Sequence, residues 1–343
     1  MATRAVHLHV SRYCNLACRH CYSSSGPHQT GGVDPTAVNS ALRVLRAEGY
    51  EVLSLSGGEP LLFAGLEEIL REAHALGYRI NLVSNGAPVR GRFLEWIARY
   101  IQLTALSLDG APETHIAVRR HPKAFTWVVE AADRLAEAGA SFGIAFGVSR
   151  RSLADMPWGV DWAADRGAAL VQFHPFGASG RGTAVADELG LTPTDQARAY
   201  VTAELLRVPN GPAIQIDLAP VPLLLNGRHT YRLLTDATSF SEQPLADLVN
   251  PLVIDERGWL LPMSYGVAPE YRLGRCDATL PDAIASFKTT GWRSVRDLML
   301  RAFDALETGR PLFADWFGHL VEVSLQYSPD PEASAPRSTS GRV

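Results

Sequence analysis

Between residues 5 and 206 short apolar runs alternate with amphipathic stretches, and this alternation restricts the fold more than any other feature. Strand-like runs occur at Ala5–Val10, Glu51–Ser56, Arg79–Val83, Leu103–Leu108, Ser141–Val148 and Ala169–His174. Helical patterns follow them at Pro35–Glu48, Leu66–Leu76, Phe93–Tyr100, Phe125–Ala138, Ala154–Arg166 and Thr194–Leu206. In the first of these Val38, Leu42 and Leu45 recur at steps of four and three, one face of a 3.6-residue helix. Gly49, Gly77, Gly139 and Gly167 fall where a helix stops, the position that favours a left-handed residue. Strands alternating with helices imply a parallel sheet with right-handed crossovers. Six such units are too few for a closed eightfold barrel. The pattern predicts an α/β fold, a partial (β/α)6 barrel whose site lies at the C-terminal strand ends.

The pattern changes after residue 207. Pro209, Gly211, Pro212, Pro220 and Pro222 punctuate the chain, and Leu252–Ile254, Asp255–Gly258 and Trp259–Leu261 read as a β-hairpin. Helices are predicted near Ser294–Leu306 and Phe313–Val323. The expected division is a barrel over 1–206, a small α+β extension over 207–327, and a Pro- and Ser-rich disordered tail over 328–343.

The 343 residues carry a formal charge of −4, with no clustered basic field, so nucleic acid is not an expected partner. No apolar run approaches the roughly 20 residues that span a bilayer, and no signal-peptide core follows Met1. A cytoplasmic protein without a membrane partner is the expectation. Only four cysteines occur, and Cys14, Cys18 and Cys21 fall within eight residues, which excludes a disulfide framework and favours a metal or redox site.

These thiols stand at i, i+4 and i+7 in Cys14-Asn15-Leu16-Ala17-Cys18-Arg19-His20-Cys21-Tyr22, directly after the first strand. Three thiolates on a four-iron cluster leave one iron open, as a catalytic metal site requires. Structural zinc, with His20 or His28 as fourth ligand, is the competing reading. The CxxxCxxC spacing with its following aromatic Tyr22 resembles the radical S-adenosylmethionine (SAM) superfamily. That resemblance implies one [4Fe-4S] cluster on Cys14, Cys18 and Cys21. It also implies SAM chelated at the open iron and cleaved to a 5′-deoxyadenosyl radical.

A second motif, Ser56-Gly57-Gly58-Glu59-Pro60, ends the second strand. A plain turn would use the same residues. In the resembled family a Gly-Gly-Glu-Pro stretch holds the SAM amino group, which makes Gly57, Gly58, Glu59 and Pro60 cofactor candidates. Ser84-Asn85-Gly86 is similar to the family's Ser-Asn-Gly element. Ser107-Leu108-Asp109-Gly110, then His115, Arg119 and Phe125, resembles a stretch of its peptide-modifying members, with Ile116 departing from the Asp of that pattern. Pro175 and Gly180-Arg181-Gly182 continue the likeness. Ser84, Asn85, Ser107, Asp109, Arg119 and the strand-end His174 are thus further cofactor candidates.

Peptide-modifying relatives carry a SPASM or twitch extension holding auxiliary clusters. Here Pro262-Met263 stands where Pro-Cys is expected, and Cys276 alone follows. The expectation is a twitch-like scaffold without an auxiliary cluster. Cys276 is either a buried small residue or a hydrogen-atom donor, and Tyr265 is a second candidate donor. Asp217 is either a buried base or a satisfied polar core residue, and His7 and His9 are either groups facing the substrate or satisfied core residues or SAM contacts.

The resemblance implies a radical SAM enzyme, an oxidoreductase or peptide maturase, that modifies a ribosomally made peptide at an unactivated carbon. A dehydrogenase, epimerase or mutase of a small sugar or amino-acid intermediate is the alternative. A non-catalytic zinc or iron–sulfur module is the rival from another class. Because the barrel pattern starts at residue 5, a separate leader-binding protein is an expected partner of a peptide modifier. An external electron donor such as flavodoxin or ferredoxin is another.

Overall fold

The computed structural model describes residues 3–328; the predicted tail beyond 328 lies outside the described residues. Seven parallel strands run β1 Ala5–His9, β2 Val52–Ser56, β3 Arg79–Ser84, β4 Ile101–Leu108, β5 Phe142–Val148, β6 Leu170–Pro175 and β7 Ala213–Ile216. The helices between them are α1 Pro35–Ala47, α2 Leu66–Ala75, α3 Arg92–Tyr100, α4 Pro112–Arg119, α5 Ala124–Glu137, α6 Met156–Asp165, α7 Ala186–Leu189 and α8 Pro193–Leu205. The four helix-ending glycines have φ of +90°, +76°, +64° and +73°, the conformation that only glycine adopts without strain.

This is a partial (β/α)6 barrel, and its sheet runs on past residue 206. β7 pairs with β6, placing Ile214 beside Val171. The hairpin β9 Leu252–Ile254 and β10 Trp259–Pro262 docks on the other edge, with β9 parallel to β1. β11 Gly274–Arg275 completes a ten-stranded sheet in the order β11-β10-β9-β1-β2-β3-β4-β5-β6-β7. The hairpin therefore covers the exposed edge of β1, which would otherwise present unpaired backbone groups. Polar contacts pin the extension there: Tyr50 Oη donates to Val249 O at 2.6 Å and Lys288 Nζ to Glu48 Oε1 at 2.8 Å.

The remaining extension holds β8 Ala219–Pro220, α9 Val221–Gly227, α10 Leu245–Leu248, α11 Leu280–Ser286, α12 Trp292–Gly309, β12 Phe313–Ala314 and α13 Trp316–Gln326. The helix predicted from Phe313 starts at Trp316 instead. Phe313 and Ala314 pair with β8, and Asp315 caps the helix by accepting from Phe317 N. α4 was not predicted, because its eight residues carry too short a pattern to show a period. Among the described residues no helix is long and apolar enough to cross a membrane.

The two faces of the sheet differ. Leu8, Leu55, Leu82, Leu106, Phe146 and Phe173 point outward and pack beneath the helices, fully buried. In register on the other face lie His7 beside Ser54, His9 beside Ser56, Ser107 beside Ala145, and Gly147 beside His174. A closed barrel fills its interior with bulky branched side chains. Here this concave face, the lumen, carries small and polar residues instead.

Candidate active site

The cysteine loop leaves β1 and is held from several sides. Arg181 donates from Nε to Cys18 O at 3.0 Å and from Nη2 to Ser25 O at 2.6 Å, and its backbone N–H reaches Cys21 O at 3.0 Å. Glu59 N donates to Tyr13 O at 2.9 Å. Gly58 lies so close beneath the loop that a Cβ would stand 1.9 Å from Tyr13 O, so only glycine fits. Cys14 and Cys18 are buried around Leu16, with Cys21 and Trp127 against them.

Burial pushes the Cys14 thiol up to about 12 and the Cys18 thiol to about 11. Thiolates there need a compensating cation. Donors already aim at the sulfurs: Leu16 N at 3.4 Å and Asn85 Nδ2 at 3.7 Å toward Cys14 Sγ, and Ser25 N at 3.3 Å toward Cys21 Sγ. Such N–H···S bonds are a known means of tuning iron–sulfur clusters. Among the described residues no three His, Cys, Asp or Glu side chains converge as one metal ion requires. A cluster holds its thiolates on separate irons, farther apart than ligands around one ion. His9 Nδ1, Ser11 Oγ and His20 Nδ1 are buried near the loop without partners among the described residues. The residues present fit an iron–sulfur cluster with a polar ligand beside it.

Glu59 is 1% exposed. Its Oε1 accepts from Ser84 Oγ at 3.0 Å and Leu61 N at 3.3 Å, and its Oε2 from Asn85 N at 2.8 Å. Burial outweighs these donors and raises its carboxyl to about 7. Asn85 also bonds Asn15 Oδ1 at 2.8 Å, so the Gly57-Gly58-Glu59-Pro60 turn, the Ser84-Asn85 element and the cysteine loop form one network.

Asp109 is the second centre. Arg119 grips its carboxylate through Nε and Nη2, the latter at 3.2 Å, and His20 Nε2 lies 3.2 Å from Oδ1. Burial alone would raise Asp109, but Arg119 and His20 hold it well below the usual carboxylate range. His115 Nδ1 accepts from Asp109 N at 3.0 Å. Ser107, the residue two before Asp109 on β4, faces the lumen. The roles of His20, His115 and Arg181 were not read from the sequence. The Cys-x-x-x-Cys-x-His-Cys spacing and the Gly-Arg-Gly stretch were the available signals.

Tyr265 stacks on His9 with ring centroids 4.3 Å apart and meets Tyr22 edge-on at 5.4 Å, while its hydroxyl donates to Glu256 Oε2 at 3.0 Å. Cys276 lies elsewhere. Its N–H bonds Gly258 O at 2.8 Å, and burial pushes its thiol up to about 12. Among the described residues no hydrogen bond or ring contact joins it to Glu59, Tyr265 or His174.

Two buried histidines give a pH prediction. Burial lowers His115 to about 4 and His9 to about 3. The unfolded chain takes up these protons near pH 6.5, whereas the folded chain stays neutral until about pH 4 or 3. Stability should therefore fall as pH drops from 6.5 toward 4, by about 1.4 kcal/mol per pH unit per group. Urea unfolding of iron-free protein at pH 7 and pH 5 checks this; equal stability would show both rings to be solvated.

Comparison with known proteins agrees with this geometry. The sequence pattern of the radical SAM superfamily matches residues 8–156. An AdoMet-dependent heme synthase of Oleidesulfovibrio alaskensis is 33% identical over 155 residues, 44% of this chain and 40% of that protein. The sporulation killing factor maturation protein SkfB of Bacillus subtilis is 26% identical over 177 residues, 51% of this chain and 43% of the relative. The matched stretch thus spans less than half of each relative's length. Streptococcus suis SuiB, solved with S-adenosylmethionine, shares the fold at a TM-score of 0.68 and 15% identity, covering 96% of this chain and 75% of SuiB. Fold, motif order and matched pattern agree: residues 8–156 carry the radical SAM superfamily pattern, in a chain similar in sequence to the maturation protein SkfB and in fold to SuiB.

Proposed function

We propose that Cys14, Cys18 and Cys21 hold one [4Fe-4S] cluster, that SAM lies beside it along the strand ends, and that the substrate is a ribosomally made peptide. When bound, the cluster and SAM supply the electron and the 5′-deoxyadenosyl radical that removes hydrogen from an unactivated carbon. Three donors among the described residues reach the Glu59 carboxylate, leaving an acceptor position with which it orients the SAM ammonium. Gly57 and Gly58 let the backbone approach, and Pro60 sets the turn behind Glu59. Ser84 and Asn85 fix the Glu59 carboxylate. Ser107 and Arg119, with Asp109 neutralising the guanidinium, line the ribose and carboxylate side, and Tyr22 borders the loop. The observation that carries this reading is the set of N–H donors aimed at cysteine sulfurs beside the buried Glu59.

A peptide substrate is supported by SkfB, a maturation protein, and by SuiB, solved with its precursor peptide SuiA. The higher identity to a heme synthase favours the second reading, a small-molecule substrate. With Cys276 as the one cysteine outside the motif, no auxiliary cluster is expected. A flavodoxin or ferredoxin would deliver the electron, and a separate protein would present a leader peptide. Tyr265 beside Tyr22 is the better placed of the two candidate donors, ahead of Cys276.

Glu59→Ala tests the cofactor assignment. Iron content should persist while SAM binding weakens by about 1.5–3 kcal/mol, the range for a hydrogen bond to a charged group. Calorimetric titration with SAM reads this; unchanged affinity would make Glu59 a turn residue only.

A further inference from the structure

We propose that His174, oriented by Asp217, is a proton-transfer residue on the substrate side of the lumen. The inference rests on the radical SAM reading above and adds a second chemical centre to it. His174 projects from β6 into the lumen on the same face as Gln172. Asp217 directly follows β7, and its N–H donates to Phe173 O at 3.0 Å, which sets it beside His174 in the sheet. His174 Nδ1 lies 2.6 Å from Asp217 Oδ2, and Gln172 Nε2 donates to Asp217 Oδ1 at 3.1 Å. Two residues of β6 thus hold both oxygens of one carboxylate. The arrangement keeps the proton on Nδ1 and leaves Nε2 without a hydrogen-bond partner among the described residues. A histidine held this way by a carboxylate is a standard general acid–base element.

The dyad is reachable. The side chains of His174 and Asp217 are 43% and 36% exposed, as on the wall of an open lumen. The charged groups facing it come from four directions: Asp217 from the end of β7, His7 from β1, Asp109 from the end of β4, and Asp315 from the extension. The pairing of Ala314 with Ala219 delivers Asp315 beside Asp217, two residues upstream of that ladder. Burial by itself would lower His174, but the bond and charge of Asp217 raise it above its ordinary 6.5. Burial raises Asp315 to about 6 and lowers His7 to about 4. His174 thus holds its proton to a higher pH than an ordinary imidazole, whereas His7 beside it stays neutral.

The substrate this suits carries an exchangeable O–H or N–H next to the carbon that loses its hydrogen atom. The step is a proton transfer alone. The O–H or N–H bond breaks, its electron pair stays on the heteroatom, and the proton forms a bond to His174 Nε2, which later releases it to solvent.

Diethyl pyrocarbonate, which acylates accessible unprotonated imidazole, is the probe, applied anaerobically to the iron-loaded enzyme between pH 5.5 and pH 8.5, with modified residues identified by mass spectrometry. His174 should react, with a midpoint above 6.5, while buried His9 should not. Asp217→Asn should lower the midpoint by about one unit, a tenfold gain in reactivity on the acid side. Asp315→Asn, which preserves the helix cap, should lower it by a smaller amount and serves if the first variant does not fold. Saturating SAM should leave His174 reactive. A His174 that resists acylation while exposed His229 reacts would overturn the proposal. So would a midpoint unmoved in the variants, or full protection by SAM, which would assign the ring to the cofactor. Iron content and 5′-deoxyadenosine formation are measured on the same samples. Their loss would count against the radical SAM reading, whereas the histidine results with both intact bear on the dyad alone.

Discussion

Replacing Cys14, Cys18 and Cys21 with alanine together should abolish iron binding and 5′-deoxyadenosine formation. The loss should be complete, because Cys276 is the one cysteine left and a single thiolate cannot ligate a cluster. The protein should remain folded, since backbone hydrogen bonds to Gly26 and Val118 and the Arg181 contacts hold the loop in addition to the weaker N–H···S bonds. Burial keeps the Cys14 and Cys18 thiols protonated, so removing them strands no charge. Iron analysis and the visible absorption of anaerobically prepared protein read the first effect, and circular dichroism reads the second. A folded triple variant that still carries about four irons would refute the assignment.

Arg119→Ala should be the most destabilising single change at the site. Asp109 is 3% exposed, and Arg119 is its only permanently charged partner among the described residues. Removing the guanidinium leaves a buried carboxylate with His20 and His115 alone. Breaking a buried pair by removing one partner costs about 3–5 kcal/mol, most of it the uncompensated charge. Asp109→Asn in the same chain should recover much of the loss, because the stranded charge is then gone. Urea unfolding of the two single variants and the double variant closes the cycle. A cost near that of a surface pair, about 1 kcal/mol or less, would mean that water reaches Asp109 in solution.

The sequence by itself determined the order of the first six strands and of the six longer helices among them, because each of these is encoded within a few residues. Apolar spacing sets the period and a left-handed glycine sets the stop, so α1, α2 and α5 begin and end within a residue or so of where Gly49, Gly77 and Gly139 place them. The cysteine loop and the Gly-Gly-Glu-Pro turn were legible for the same reason, since their chemistry sits in consecutive residues. What only the tertiary structure decided depends on which strands become neighbours. The short hairpin from residue 252 could have paired anywhere, but the open edge of β1 accepts it, and this brings Tyr265 against His9 and Tyr22 while leaving Cys276 apart. Asp109 reads as one acidic residue in a turn until α4 returns Arg119 and His115 to it and the loop returns His20. His174 and Asp217 are 43 residues apart in the chain. The pairing of β7 with β6 makes them neighbours, and the ladder of β8 with β12 adds Asp315. Local periodicity and turn chemistry are properties of a short segment. Charge partners across a lumen are properties of sheet order, which no short segment contains.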